Sequence, residues 1–65
     1  MNMKQQLTAR EKEIIHLVAA GNTDKEIGAM LGIKARTVST HVQNFIKKLG
    51  GRNRTHAVAK FYLRL

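Results

Sequence analysis

One stretch of the chain, residues 34–49, has an amphipathic pattern that limits how the whole chain can fold. Its apolar residues recur with the period of an α-helix and form one continuous stripe: Val38, Val42, Phe45, Ile46 and Leu49. The opposite face carries short hydrogen-bonding side chains between cations: Arg36, Ser39, Thr40, Gln43 and Lys47. The pattern predicts a helix that packs one face against a core and leaves a polar face in solvent.

The positive charge of the chain is confined to its second half. Residues 34–65 contain eight Lys and Arg residues and no acid, whereas residues 1–33 contain four of each, so the net charge of +8 comes from the second half. Such a charge implies an anionic partner, nucleic acid before an acidic membrane surface. Because base edges bond to short polar groups and phosphates attract cations, the polar face of residues 34–49 is suited to a DNA groove.

Length and composition limit the chain to a single small domain. With 65 residues, 43% of them hydrophobic, it should be globular but has no room for an internal cavity, so we expect no cofactor and no small-molecule ligand. It has no cysteine, which excludes disulfides and thiolate metal sites. No apolar run approaches the roughly 20 residues of a membrane span, and Met1–Gln6 lacks a signal peptide's hydrophobic segment. We therefore expect a cytoplasmic, nucleoid-associated protein with no membrane partner.

Capping signals and glycines divide the chain into an aperiodic tail, residues 1–6, and a four-helix domain, residues 7–65. The predicted helices span residues 9–20, 24–31, 35–49 and 56–64. Thr8 with Glu11, and Thr23 with Glu26, form capping boxes at the first two helix starts. Gly32 between the second and third helices provides the short turn of a helix-turn-helix motif at about residues 23–42. The predicted fold is all-α and compact.

Single positions in these helices lead to more specific expectations. Ile27, Met30 and Leu31 form an apolar stripe at helical spacing on the second helix. Gly28 is a poor helix former, so its presence predicts that another helix crosses closely at this point. Thr55 is expected to cap the fourth helix.

Several segments, taken together, resemble the LuxR-type helix-turn-helix domain. They are Leu7-Thr8-Ala9-Arg10-Glu11, Gly21-Asn22-Thr23, Glu26-Ile27-Gly28, Thr37-Val38, His41-Val42 and Lys48-Leu49-Gly50. Proteins with this domain include quorum-sensing receptors, NarL-like response regulators and the spore regulator GerE. The resemblance covers residues 7–65. It implies a sequence-specific transcriptional regulator with its third helix in the major groove of double-stranded DNA, and dimerisation through its fourth helix on roughly palindromic sites. Because the fourth helix is short, we expect this homodimer to be weak.

The resemblance also implies roles for individual residues. Ser39, Thr40 and Gln43 match positions that face bases, and Arg36 stands beside them. Phosphate contacts are implied for Thr37 and Lys48, and are expected at the start of the second helix for Thr23 and Lys25. The apolar surface of the fourth helix, with its expected dimer contacts, comprises Ala57, Val58, Phe61, Tyr62 and Leu65.

Local charge adds further candidates for phosphate contact. Four cations lie within eight residues with no acid beside them in sequence: Lys47, Lys48, Arg52 and Arg54. Lys34 stands at the expected N-cap of the third helix, where a cation opposes the helix dipole, and this cost indicates a phosphate partner.

Two glycines depart from the pattern of the family. Gly28 replaces the familiar alanine, which should cost only stability. Gly51 replaces an aliphatic residue, which predicts a loosely docked fourth helix.

The sequence offers no signs of an enzyme or a metal site. His16, His41 and His56 fall on three different predicted helices without the i, i+4 pairing of a zinc-binding face. His41 is expected to be half-buried and His16 exposed. No carboxylate is placed to orient a general base.

Two other function classes remain open. The chain could be a small interaction protein that pairs with or antagonises a larger LuxR-type regulator. A cationic membrane binder is less favoured, because the polar face of residues 34–49 has Ser, Thr and Gln at its centre rather than Lys and Arg. The chain fits both a free-standing regulator and a C-terminal effector domain.

Overall fold

A computed structural model of the protein describes residues 6–64. Four α-helices are joined by short turns: α1 (Ala9–Ala19), α2 (Asp24–Leu31), α3 (Ala35–Leu49) and α4 (Arg54–Leu63). α3 packs against each of the other three helices and so forms the centre of the fold. The prediction of a compact all-α domain of four helices is confirmed. Residues 1–5 of the predicted tail, and Leu65 of the predicted dimer surface, lie outside the described residues.

All four helices contribute fully buried side chains to one core. They are Ile14, Ile15, Ile27, Val38, Val42, Phe45 and Ala57. The predicted apolar face of α3 is confirmed, since its first three residues belong to this set and Ile46 and Leu49 pack against the core.

Met30 is an exception to the predicted core, because its side chain is 58% exposed. The buried face of α2 consists of Ile27 and Gly28, with Leu31 packed at its margin. At about 100° per residue, Gly28 and Leu31 lie to one side of Ile27 around the helix, and Met30 lies to the other side. Its assignment to the apolar stripe of α2 is therefore wrong.

Both predicted capping boxes are present. The Thr8 hydroxyl accepts from the Glu11 amide at 3.0 Å, and the Glu11 carboxylate accepts from the Thr8 amide at 2.9 Å. Thr23 and Glu26 make the equivalent pair of bonds at 3.1 and 2.8 Å. Each box satisfies two backbone donors that a helix start would otherwise leave free, which fixes where α1 and α2 begin.

The start of α4 differs from the prediction. Asn53, not Thr55, is the N-cap, and its side-chain oxygen accepts from the His56 amide at 2.8 Å. His56 completes the turn by accepting a hydrogen bond on Nδ1 from the Arg52 amide at 3.0 Å. Asn is at least as good an N-cap as Thr, so the earlier of two candidate caps begins the helix.

The two unusual glycines both lie where backbone segments approach closely. A Cβ at Gly28 would lie 2.6 Å from the Ile33 carbonyl oxygen, so a close approach is present, but it is made by the turn before α3 rather than by a crossing helix. A Cβ at Gly51 would lie 2.9 Å from the backbone and Cβ of Ala57. Gly51 therefore lets α4 dock closely, and the expectation of a loosely held fourth helix is wrong.

Candidate nucleic-acid interface

The exposed face of α3 is polar along its whole length. Opposite the buried stripe lie five exposed side chains: Arg36, Thr40, Gln43, Asn44 and Lys47. Among residues 6–64, the side chains of four of them have no hydrogen-bond or ion-pair partner, the exception being Thr40, whose hydroxyl donates to the Arg36 carbonyl at 3.1 Å. The face can therefore offer amide groups, a hydroxyl acceptor and cations to an external surface.

Three of the four predicted base contacts lie on this face, and the fourth lies at its margin. Arg36, Thr40 and Gln43 are exposed, whereas Ser39 is half-buried. At about 100° per residue, Ser39 points to the side of the helix, between the core and the exposed face. Asn44 was not among the predicted residues, although its spacing from Thr40 and Arg36 already placed it on their side of the helix.

Five cations around the ends of α2 and α3 are exposed and, among the described residues, form no ion pair. They are Lys25, Lys34, Arg36, Lys47 and Arg52. Lys34 is the N-cap of α3 and makes no side-chain capping bond, as its position predicted. The exposed hydroxyl groups of Thr23 and Thr37 lie near the starts of α2 and α3.

Lys48 is engaged inside the protein. Its Nζ lies 2.9 and 3.2 Å from the two carboxylate oxygens of Glu11, whose side chain is only 4% exposed. Burial raises the pKa of Glu11, but hydrogen bonds from Lys48 and the Thr8 amide outweigh this effect and leave that pKa below its usual value. One carboxylate thus caps α1 and ties it to the end of α3.

Arg54 is also paired. Its guanidinium group donates to both carboxylate oxygens of Asp24, at 2.7 and 3.1 Å, in a bidentate ion pair between the first residues of α4 and α2. Of the four clustered cations, Lys48 and Arg54 are therefore neutralised by acids from the first half of the chain. The view that no acid neutralises this cluster is wrong, because it considered neighbours in sequence only.

α4 presents a smaller apolar surface than the sequence suggested. Ala57 is fully buried against Gly51 and has no area left for a partner, so its predicted role in a dimer interface is wrong. Val58 and Phe61 are half-buried, and Tyr62 is 45% exposed. The sequence analysis missed Leu63, which is 66% exposed.

His16 of α1 anchors this part of α4. Its exposed ring hydrogen-bonds to the Tyr62 hydroxyl and packs edge-on against Phe61 and Tyr62, with ring centroids 5.7 and 5.5 Å apart. His41 is half-buried, as expected. No group of acids and histidines within residues 6–64 is arranged to hold a metal ion. In the same part of the chain, no helix is both long and apolar enough to span a membrane.

Comparison with known proteins agrees with this architecture. Residues 5–61 match the family model of bacterial regulatory proteins of the luxR family. The chain is 49% identical over 53 residues to the transcriptional regulatory protein LiaR of Bacillus subtilis, covering 82% of this chain and 25% of LiaR. It is 43% identical over 54 residues to the transcriptional activator protein CarR of Pectobacterium carotovorum, covering 83% of this chain and 22% of CarR.

The chain thus spans about a quarter of the length of these relatives. The matched region contains all of α1, α2 and α3, with the two capping boxes and the turn between α2 and α3. This is a family of transcriptional regulators, not of enzymes, as the sequence analysis expected. The chain belongs to the luxR family and is a helix-turn-helix DNA-binding domain of a transcriptional regulator.

Proposed function

We propose that this domain binds double-stranded DNA sequence-specifically by placing the exposed face of α3 in the major groove. The observation that carries the proposal is the free polar face of α3, with cations near both of its ends. A major groove about 12 Å wide admits one α-helix and shows each base pair a distinct pattern of donors and acceptors. Amide and hydroxyl groups on that face supply the matching partners.

The exposed side chains divide between reading bases and holding phosphates. Arg36, Thr40 and Gln43 face the bases, and Ser39 contacts the groove from the margin of the helix. Phosphate contacts come from the exposed cations and threonines around the helix ends: Thr23, Lys25, Lys34, Thr37, Lys47 and Arg52. Lys48 and Arg54 can meet phosphates only if they leave their ion pairs with Glu11 and Asp24.

The domain acts as a weak homodimer through α4 when it is bound to DNA. One helix reads only a few base pairs, which is too little to distinguish a site among a genome's competitors. The surface for a second copy consists of Val58, Phe61 and Tyr62, extended by the exposed Leu63. The contact expected for Leu65 stays a prediction. Because α4 has only ten residues, a dimer formed through it should be weak, and binding to two half-sites provides most of the association.

Selection from random-sequence duplexes tests the proposal. The expected outcome is a motif of two related half-sites about 10–10.5 base pairs apart, because each copy must meet the same side of the duplex. If the bound pool shows no motif, or if anionic vesicles compete as well as DNA, the membrane-binding alternative gains support.

A spacing change tests the dimer separately from the base contacts. Inserting five base pairs between the half-sites puts them on opposite faces of the duplex, whereas inserting ten restores their alignment. We expect the first insertion to weaken binding at least tenfold and the second to weaken it far less. Equal affinity and stoichiometry on both duplexes would mean that the copies bind independently. In that case a role as an interaction partner of a larger relative becomes the better account of α4.

A further inference from the structure

We infer that Asn44 is a specificity-determining residue that reads an adenine in the bound duplex. This inference rests on the proposed function and adds a residue to its reading face. Asn44 is exposed to solvent, and its amide has no hydrogen-bond partner within residues 6–64. It lies in the middle of a helix, where Asn has a lower propensity than Ala, so its presence adds no local stability.

Asn44 lies as far from the centre of the exposed face of α3 as the predicted base contact Gln43, but on the opposite side. Taking Val38, Val42, Phe45 and Leu49 as the buried side, Asn44 lies about 50° from the direction opposite the core. Gln43 lies about 50° away on the other side of that direction, and Ser39 lies about 90° away on the side of Gln43. The two neighbouring amides therefore straddle the centre of the exposed face.

The hydroxyl of Thr40, one turn before Asn44, donates to the Arg36 carbonyl at 3.1 Å. While this bond is made, Thr40 presents acceptor lone pairs and a methyl group to the groove. An Asn amide offers one donor and one acceptor side by side, the pair that matches N7 and N6 of adenine in the major groove. Asn44, like Gln43 on the other side of the face, can therefore read adenine with two hydrogen bonds.

Binding-site selection with Asn44→Ala tests the inference. The expected result is loss of the adenine preference at one position of each half-site and roughly tenfold weaker binding to the parent motif. Lys47→Ala is the matched control on the same face, and it should weaken every duplex by a similar factor without changing the motif. Thermal melting of both variants checks that they are folded, and Ala at position 44 should not lower the melting temperature.

The outcomes separate this inference from the proposed function. If the parent protein selects no motif, the proposed function fails. If the parent selects a motif and Asn44→Ala leaves that motif unchanged, the role of Asn44 is wrong while the proposed function stands. Uniform weakening on all duplexes would also overturn the inference, since it would place Asn44 against a phosphate.

Discussion

Replacing Glu11 by alanine is expected to remove most of the net stability of the protein. The change leaves the half-buried Lys48 without its partner, and breaking a buried ion pair from one side costs about 3–5 kcal/mol. We expect the lower end of that range, because the Lys48 side chain keeps 25% of its exposure. A core of this size supplies roughly 3–5 kcal/mol of net stability, so the expected loss is comparable to the total free energy of unfolding. Urea unfolding followed by circular dichroism measures it.

The control for this experiment is Glu13→Ala on the same helix. Glu13 pairs with Arg10 at 3.1 Å, but both side chains are largely in solvent, so its loss should cost about 0.5 kcal/mol or less. Lys48→Ala and the variant with both Glu11 and Lys48 replaced by alanine complete a double-mutant cycle. Effects of Glu11→Ala and Lys48→Ala that simply add would show that the two residues are not coupled in the folded protein.

The pH dependence of stability follows from the same carboxylate. Since the pKa of Glu11 is lowered on folding, its stabilising effect is complete above the ordinary glutamate pKa of about 4.3. This contribution is lost as the pH falls through the lower pKa of the folded state. The unfolding free energy should therefore decrease below about pH 4.3, and the decrease should be smaller in Glu11→Gln.

Salt should weaken binding to duplex DNA by about two orders of magnitude per domain between 50 and 200 mM. Four unpaired cations are proposed to meet phosphates: Lys25, Lys34, Lys47 and Arg52. When they bind phosphates they displace condensed counterions, and the affinity for duplex DNA should fall roughly 150-fold over this fourfold change in salt concentration. If Lys48 and Arg54 left their carboxylates to join them, the loss would rise to about 2000-fold. Fluorescence anisotropy over a salt series measures the slope of the logarithm of affinity against the logarithm of salt concentration.

Asp24→Asn provides the matched variant for this measurement. The amide cannot form the bidentate pair, so Arg54 becomes available for a phosphate and the slope should steepen by about one unit. A slope in the parent protein near zero would contradict the phosphate contacts altogether. A steep parent slope that Asp24→Asn leaves unchanged would show that Arg54 already binds DNA in the parent.

Local signals in the sequence were sufficient for most of the fold. The capping boxes at Thr8 and Thr23 fixed two helix starts, because their bonds join residues three apart and depend on no distant contact. The apolar stripe of α3 predicted its buried face for a similar reason, since helical periodicity is a property of the segment itself. The error at α4 was also local: two residues, Asn53 and Thr55, could each cap a helix.

The features that the sequence missed depend on contacts between distant segments. The ion pairs Lys48–Glu11 and Arg54–Asp24 join residues 37 and 30 positions apart, so counting charges along the chain assigned both cations to an unneutralised patch. Gly51 was taken as a sign of weak docking for the same reason. Only the approach of Ala57 shows that a larger side chain would not fit there.

The sequence predicted most residues of the candidate site, but not which residues at the margins of the α3 face are exposed. Periodicity placed Arg36, Thr40 and Gln43 opposite the core, where the structure has them. The extent of burial at the margins depends on how the neighbouring helices cover α3. That packing leaves Ser39 half-buried, which the pattern alone could not decide, whereas the side on which Asn44 lies followed from its spacing and was overlooked.

The central claim is that the exposed face of α3 reads base sequence, and a pair of variants tests it most directly. Affinity is measured for Gln43→Ala and Lys47→Ala on the selected duplex and on a shuffled duplex of equal composition. We expect Gln43→Ala to bind the selected duplex about tenfold more weakly and the shuffled duplex within about twofold of the parent. Lys47→Ala should weaken both duplexes equally. Equal losses of Gln43→Ala on the two duplexes, or none on either, would contradict base reading by this face.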